Sequence, residues 1–342
     1  MRQIEYDGEY LEEFVHPQYG QGYFADTDAI HEQDPVVQMT GFVYADYPLP
    51  WVAGMTYLGH AGTTLFAKSF IQSFSDDIMS SHHPMLVSSQ RSTRRTDDVR
   101  LQVLQFFNAN PNGFDLVFVA NATAAMKLIG DLFRDADPGG FWYGCHVDSH
   151  TSVIGVRELA DINSQCFDDA DVEAWITELS TAQSKFPSSQ SNMNGRRLPL
   201  RWCAQLRSVA CQGGNVSTLL DASSFLSTAP LDFGEANTAP NTAPDFTAFS
   251  FHKIFGFPDL GALIVRKCSG SLLERRKLFG RPQWHAKKDT SIPERLNNDT
   301  LPFQSIIALD AAISTSVCTG QCLIVPHILG FSLSDSMISC LY

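Results

Sequence analysis

The stretch Phe246-Thr-Ala-Phe-Ser-Phe-His-Lys253 decides the fold when it is read with the earlier stretch Ser217-Thr-Leu-Leu-Asp221. Each is an apolar run of strand length that ends in polar side chains. Asp221 ends the first predicted strand, and Lys253 comes just after the second. Whether this acid and this lysine meet depends on the sheet that the rest of the chain builds.

The rest of the chain alternates between strand-like and helix-like segments. Strands are predicted at 115–120, 142–147, 165–167, 217–220, 246–251 and 260–265, with helices after the first three that begin near 121, 153 and 172. Such alternation predicts an α/β fold in three layers, with a mainly parallel sheet covered by helices on both faces.

Two helices are predicted ahead of the first strand. Apolar residues recur close to a 3.6-residue period over 65–80, and Asp97 with Asp98 is predicted to open a second helix, because acids suit the positive end of the helix dipole. The polar stretches 184–194 and 236–244 are predicted to be loops.

An acid and a lysine at neighbouring strand ends are what pyridoxal 5'-phosphate (PLP) needs. The amine of Lys253 can condense with the cofactor aldehyde, and the carboxylate of Asp221 can keep the pyridine nitrogen protonated, so that the ring draws electrons from the substrate. The alternative reading is a surface lysine and a helix-capping aspartate, and each residue taken alone fits that reading.

Further candidates follow the predicted strands, where ligands of open α/β sheets bind. Ala122 and Thr123 begin a helix and could hold a phosphate, although a plain helix cap by Asn121 or Thr123 explains them too. The flat imidazole of His150 could stack on a pyridine ring, or be a structural hydrogen bonder. Three polar residues complete the set, two for the phosphate and one for the ring hydroxyl: Ser250, His252 and Asn192.

Composition argues against several functional classes. The 342 residues carry a net charge of −13, which disfavours nucleic acid and anionic membranes as partners. The first residues lack the apolar segment of a signal peptide, and no run of 18 apolar residues predicts a membrane span. Eight cysteines form no paired framework, which favours a reducing, cytoplasmic location. Cys318 and Cys322 without further ligands make a poor zinc site, so no metal is predicted.

Five stretches together resemble the N-terminal, cysteine-desulfurase-like domain of the eukaryotic molybdenum cofactor sulfurases, within the class V aminotransferase group. They are Tyr57-Leu-Gly-His-Ala-Gly-Thr-Thr, Phe118-Val-Ala-Asn-Ala-Thr-Ala-Ala, His146-Val-Asp-Ser-His-Thr-Ser-Val-Ile-Gly, Gln190-Ser-Asn-Met-Asn-Gly-Arg-Arg-Leu-Pro and Phe249-Ser-Phe-His-Lys-Ile-Phe-Gly-Phe-Pro-Asp-Leu-Gly. The resemblance implies the large domain of a PLP enzyme of fold type I. It also implies transfer of sulfur from L-cysteine, as a persulfide, to the molybdenum cofactor, with a homodimer possible.

The resemblance also implies a role for each candidate. Lys253 takes the place of the lysine that binds PLP covalently, Asp221 that of the ring-nitrogen partner and His150 that of the stacking histidine. The phosphate contacts fall on Ala122, Thr123, Ser250 and His252, and the ring-hydroxyl contact falls on Asn192. Ser224, a further cofactor-binding candidate, stands where many desulfurases carry a glutamine.

The likeness is interrupted after Gly280, where a glycine-rich strand is expected, and it stops after Ala312. We therefore expect an arm over 1–50, a PLP-binding domain over 51–313 and an unrelated tail over 314–342, without the small C-terminal subdomain. Two alternatives stay open: an inactive fragment that binds PLP poorly, and another PLP-dependent lyase or transaminase of the same fold.

Overall fold

The computed structural model describes residues 59–80, 89–136, 140–160, 163–179, 186–191, 199, 201–211, 216–227, 229–234, 243–273, 291–296 and 301–319. The predicted arm over 1–50, Asn192 and most of the predicted tail lie outside these residues. The division into three domains therefore stays a prediction.

The centre of the fold is a seven-stranded sheet in the order β1-β7-β6-β5-β4-β2-β3. Its strands are β1 (Phe114–Val119), β2 (Trp142–His146), β3 (Asn163–Phe167), β4 (Phe186–Ser191), β5 (Val216–Asp221), β6 (Phe246–Ser250) and β7 (Gly261–Arg266). All neighbouring pairs from β3 to β6 are parallel, and β7 is antiparallel to both β6 and β1. The predicted mainly parallel sheet is confirmed, with one reversed strand.

Helices cover both faces of this sheet. They are α1 (Lys68–Ser80), α2 (Ser89–Phe106), α3 (Ala122–Ala136), α4 (Thr151–Ile154), α5 (Asp169–Leu179), α6 (Arg201–Cys211), α7 (His252–Phe255), α8 (Ile292–Leu296) and α9 (Phe303–Thr319). Phe246 of β6 packs against Phe133 of α3, while Phe249 packs against Phe107, which follows α2. Because side chains three apart in a strand lie on opposite faces, α2 and α3 lie on opposite sides of the sheet. The predicted three-layer α/β fold is confirmed.

Two local predictions were wrong. The helix predicted to open at Asp97 begins eight residues earlier, at Ser89. Its first half is held by tertiary contacts, since the guanidinium of Arg95 pairs with Asp77 of α1 and with Asp310 of α9. The loop predicted over 184–194 contains β4, a polar strand that pairs along its length with β5. Backbone pairing with its neighbours makes this segment a strand despite its side chains.

A buried polar network fastens the strand ends opposite the predicted site. The carboxylate of Asp245, just before β6, accepts hydrogen bonds from the backbone N–H and the hydroxyl of Thr218, at 2.9 and 3.0 Å. It also accepts from the guanidinium of Arg207 and the hydroxyl of Ser269. Asp245 is 1% exposed, so this network joins β5, β6, α6 and the segment after β7 inside the protein.

Helix α9 packs against α1 and α2. It continues past Ile313, the predicted end of the PLP-binding domain, to Thr319. None of the helices in the described ranges is long and apolar enough to cross a membrane.

Candidate active site

Asp221 is fixed at the carboxyl end of β5. The residue is 5% exposed, and its Oδ1 accepts a 3.0 Å hydrogen bond from the backbone N–H of Ser223. The N–H of Ala222, the residue between them, donates to the carbonyl of Ala248 in β6 at 2.9 Å. The carboxylate is therefore held at the carboxyl end of β5, beside the last residues of β6.

Lys253 lies at the same edge, in the single helical turn α7 that follows β6. This turn packs against the 3-10 turn Phe225–Ser227, which follows Asp221. Lys253 is half-buried. The structure thus places the predicted acid and the predicted lysine on two adjoining strand ends whose following turns are packed together.

A tight crossing of two chain segments fixes α7. The turn ends at Gly256, which has φ of 77°, and a Cβ there would lie 2.6 Å from the carbonyl oxygen of Thr64. The N–H of Thr64 donates to the carbonyl of His252 at 3.1 Å, and the Thr64 hydroxyl lies 2.8 Å from Nδ1 of His60. The sequence singled out the segment that contains His60 and Thr64, but assigned it no role.

The predicted phosphate-binding residues Ala122 and Ser250 are in direct contact. The N–H of Ala122, first in α3, donates to the Ser250 hydroxyl at 2.9 Å. Asn121 caps the helix, because its Oδ1 accepts from the N–H of Ala124 at 2.9 Å. The helix cap by Asn121 and the predicted phosphate-binding contact thus occur together. Thr123, whose side chain is exposed, is not the capping residue.

A glycine makes the contact between Ala122 and Ser250 possible. Gly261 is the β7 residue opposite both Val119 of β1 and Ser250 of β6. A Cβ at Gly261 would lie 2.5 Å from Cα of Asn121, so the turn after β1 can close over β7 only if position 261 has no side chain.

His252 carries an imidazole that favours the neutral form. Burial lowers its pKa below the ordinary value, the nearby charge of Lys253 lowers it further, and Asp259 works in the opposite direction. Nδ1 of His252 lies 3.7 Å from the Asp259 carboxylate, too far for a hydrogen bond.

Three buried polar atoms at this edge have no hydrogen-bond partner within the described part of the chain. They are the hydroxyls of Ser149 and Ser223 and Nδ1 of His252. Ser149 and Ser223 directly precede predicted site residues in the sequence, and His252 is itself a predicted site residue. Because an unpaired buried polar atom costs about 1–3 kcal/mol, the arrangement fits a polar ligand that supplies the missing partners. Sequence patterns gave no sign of either serine.

His150 is held in one orientation as the cap of α4. Its Nδ1 accepts from the N–H of Ser152 at 3.2 Å and lies 2.6 Å from the Ser152 hydroxyl. The proton of a neutral His150 ring is therefore on Nε2. His150 follows β2, which is two strands away from β5 in the sheet. Helix α4 packs against β4, the strand between them, so His150 lies at the same edge as Asp221.

His146, which the sequence left without a role, anchors the loop that leads to His150. It is 2% exposed, and its Nε2 lies 2.9 Å from Oδ1 of Asp169 in α5. Its Nδ1 accepts from the N–H of Asp148 at 3.1 Å.

Ser224 is half-buried, and its carbonyl accepts from the Ser227 hydroxyl at 2.7 Å. The structure gives no ligand role to the Ser224 side chain, and that assignment stays a prediction.

Fungal proteins match most of the chain. It is 51% identical over 320 residues to a molybdenum cofactor sulfurase of Aspergillus fumigatus, covering 87% of this chain and 36% of that protein. The corresponding protein of Neosartorya fischeri is 54% identical over 295 residues, covering 80% and 34%. The chain thus spans about a third of the length of these curated relatives. No protein-family model matches it.

Solved structures share the fold. The apo cysteine desulfurase from Thermococcus onnurineus superposes with a TM-score of 0.65 at 19% identity, covering 82% of this chain and 71% of that one. The cysteine desulfurase CsdA from Escherichia coli gives 0.61 at 21% identity, covering 81% and 71%. A structure of C-DES, with glycine covalently linked to its PLP cofactor, gives 0.58 at 18% identity, covering 81% and 74%. These likenesses show that the chain shares the fold of these three proteins.

Proposed function

We propose that this chain binds PLP and acts as a sulfurase. Two findings support this: the chain is homologous to the molybdenum cofactor sulfurases, and it has the fold of the cysteine desulfurases. The substrates would be L-cysteine as sulfur donor and the molybdenum cofactor as acceptor. We likewise infer the activity of the longer relatives for this chain, which spans 36% of the first of them. A cytoplasmic location and a homodimer remain predictions from the sequence.

The observation that carries the proposal is the position of Asp221 and Lys253 on adjoining strand ends. Buried polar atoms that have no hydrogen-bond partner among the described residues lie at the same edge. PLP, when bound, supplies an electron sink for the bonds at the substrate Cα. The Asp221 carboxylate would hold the ring nitrogen in its protonated form by opposite charge. Lys253 would hold the cofactor covalently through Nζ in the absence of substrate. Once the substrate amine had displaced it, the freed amine of Lys253 would be the base that moves a proton at the substrate Cα.

The phosphate would be held at the start of α3. The N–H of Ala122 and the hydroxyl of Ser250 are already brought together there, and backbone N–H groups at a helix start favour anions. Nδ1 of His252 is buried without a partner among the described residues and would donate to the same group. An anion at this position would favour the protonated imidazole and so raise the pKa of His252.

His150 would set the plane of the bound ring. Its orientation is fixed through Nδ1 by Ser152, which leaves the flat face of the imidazole as the surface for stacking. The hydroxyls of Ser149 and Ser223, buried beside His150 and Asp221, would find hydrogen-bond partners on the bound ligand.

A lyase is the second candidate, because C-DES is named a cystine C-S lyase and shares the fold at a TM-score of 0.56. The products separate the two reactions. A desulfurase leaves alanine, while a lyase or transaminase leaves a keto acid.

The proposal is tested by fixing PLP to the protein with borohydride and mapping the modified lysine. We expect PLP on Lys253, no fixed PLP in Lys253→Ala, and normal fixation in the control Lys127→Ala, which changes an exposed lysine of α3. L-cysteine is then added to the PLP-loaded protein and the products are identified. PLP fixed equally well in Lys253→Ala would refute the site, and a keto acid in place of alanine would favour a lyase or a transaminase over a desulfurase.

A further inference from the structure

Two thiols lie side by side on neighbouring strands of the sheet, in a part of the chain that precedes Asp221 and Lys253. Cys145 of β2 and Cys166 of β3 are opposite each other in the parallel pairing, and their sulfur atoms lie 3.4 Å apart. We propose that this pair is a modification site, where thiol–disulfide exchange closes a reversible disulfide between β2 and β3. The proposal does not depend on PLP binding or on sulfur transfer.

The backbone already has the spacing that a disulfide requires. Neighbouring strands lie about 4.7–4.9 Å apart, and bridged cysteines usually have Cα atoms about 4.4–6.8 Å apart. Both side chains are on the same face of the sheet, since opposed residues of paired strands point the same way. The sulfur atoms need to close from 3.4 Å to about 2.05 Å, which side-chain rotation can supply.

The two thiols differ in access, and this sets the order of events. Cys166 is exposed on β3, one of the two edge strands of the described sheet, whereas Cys145 is 3% exposed. Burial, with a smaller contribution from the hydrogen bond to Cys166, raises the pKa of the Cys145 thiol to about 12. Cys166 is therefore the thiol that a reagent in solution meets first, and Cys145 is the resolving thiol.

The chemistry balances with a small disulfide such as oxidised glutathione. The Cys166 thiolate attacks one sulfur of that disulfide, forming a mixed disulfide and releasing one molecule of reduced glutathione. Cys145 then loses its proton to solvent and attacks the Cys166 sulfur, which releases the second glutathione. Two protein thiols are oxidised by two electrons, and one glutathione disulfide is reduced to two thiols.

The experiment exposes the folded chain to oxidised glutathione, blocks remaining thiols and maps the peptides without reduction. We expect a peptide that joins Cys145 to Cys166 and no lasting glutathione on Cys166. In Cys145→Ser the second step is impossible, so glutathione should stay on Cys166. In Cys166→Ser the buried Cys145 should remain unmodified. Cys268→Ser, which removes another exposed thiol, should give the wild-type cross-link.

Lasting glutathione on wild-type Cys166 without the cross-link would overturn the proposal. So would a cross-link that appears only in denaturant, because it would not come from the folded arrangement. Circular dichroism of each variant shows whether it folds, and Cys145→Ala replaces Cys145→Ser if the serine hydroxyl prevents folding.

Discussion

The backbone N–H of Ala122 donates a 2.9 Å hydrogen bond to the hydroxyl of Ser250, 128 residues further along the chain. The two residues follow β1 and end β6, strands that are separated in the sheet by β7. Gly261 of β7 lies between them and has no side chain to hold them apart. Three distant parts of the sequence thus build one corner of the candidate site.

Removing the hydroxyl in Ser250→Ala should weaken PLP binding and lower the stability of the protein. The buried N–H of Ala122 loses its acceptor, which costs about 1–3 kcal/mol. Thr177→Ala is the matched control, because it removes an exposed hydroxyl bonded to a helical carbonyl. Urea unfolding measures the stability and fluorescence titration measures PLP affinity. Wild-type PLP affinity in Ser250→Ala would contradict the role of this corner.

Asp221→Asn should still bind PLP but lose proton removal from the substrate. Asparagine keeps an oxygen for the N–H of Ser223 and loses the negative charge that favours a protonated ring nitrogen. We expect exchange of the cysteine α-proton in deuterated water to fall by about 10²-fold or more. Asp232→Asn, which alters a similar turn at an exposed aspartate, should leave the exchange unchanged. Equal exchange by Asp221→Asn and wild type would show that Asp221 has no such role.

Gly256→Ala should destabilise the protein and disturb the site. Alanine is strained at φ of 77°, and its Cβ would meet the backbone of Thr64 and Phe66. Gly155→Ala is the control, since φ there is −63° and no atom lies within 4 Å of the added Cβ. It should be neutral or stabilising by about 0.4–1 kcal/mol. If the two variants unfold at the same urea concentration, the backbone around Gly256 has room for a Cβ and the proposed clash does not occur.

Asp245→Ala should be among the most damaging substitutions in the chain. It leaves the guanidinium of Arg207, whose side chain is 12% exposed, without its carboxylate, and breaking such a buried pair costs about 3–5 kcal/mol. Glu158→Ala breaks the exposed pair with Arg157 and should cost about 0–1 kcal/mol. Urea unfolding measures both, and a small loss in Asp245→Ala would show that the network is not important for stability.

His252 should make the protein without PLP less stable in mild acid. Its pKa is lowered in the folded state, by burial first, whereas in the unfolded chain histidine takes up a proton near about pH 6.5. The unfolded state therefore binds more protons below that pH, and stability falls as the pH falls. His252→Asn should show a smaller fall between about pH 7.5 and 5.5, and an equal fall in unfolding free energy would contradict this.

The sequence predicted those parts of the site that end apolar runs. Asp221 and Lys253 stand out because charged residues follow strands that are buried on both faces. Strand β4 was missed because its side chains are polar and its pairing depends on neighbours far along the chain. The start of α2 depends on the contacts of Arg95 with two other helices. The hydroxyls of Ser149 and Ser223 are buried with no hydrogen-bond partner in the described ranges, and the sequence cannot show this because burial depends on the folded surroundings.

The strand order also constrains how the protein can form during synthesis. Among the strands that the structure describes, β1 is made first and its partner β7 last, so β1 lacks its described neighbour until Gly261–Arg266 has left the ribosome. Five strands from β2 to β6 can pair before that moment. Pairing over such a long stretch of chain is slow because the intervening loop must be closed first. Until then β1 is an unpaired apolar strand, and such strands are prone to aggregate, so the nascent chain is most vulnerable just before its sheet is complete.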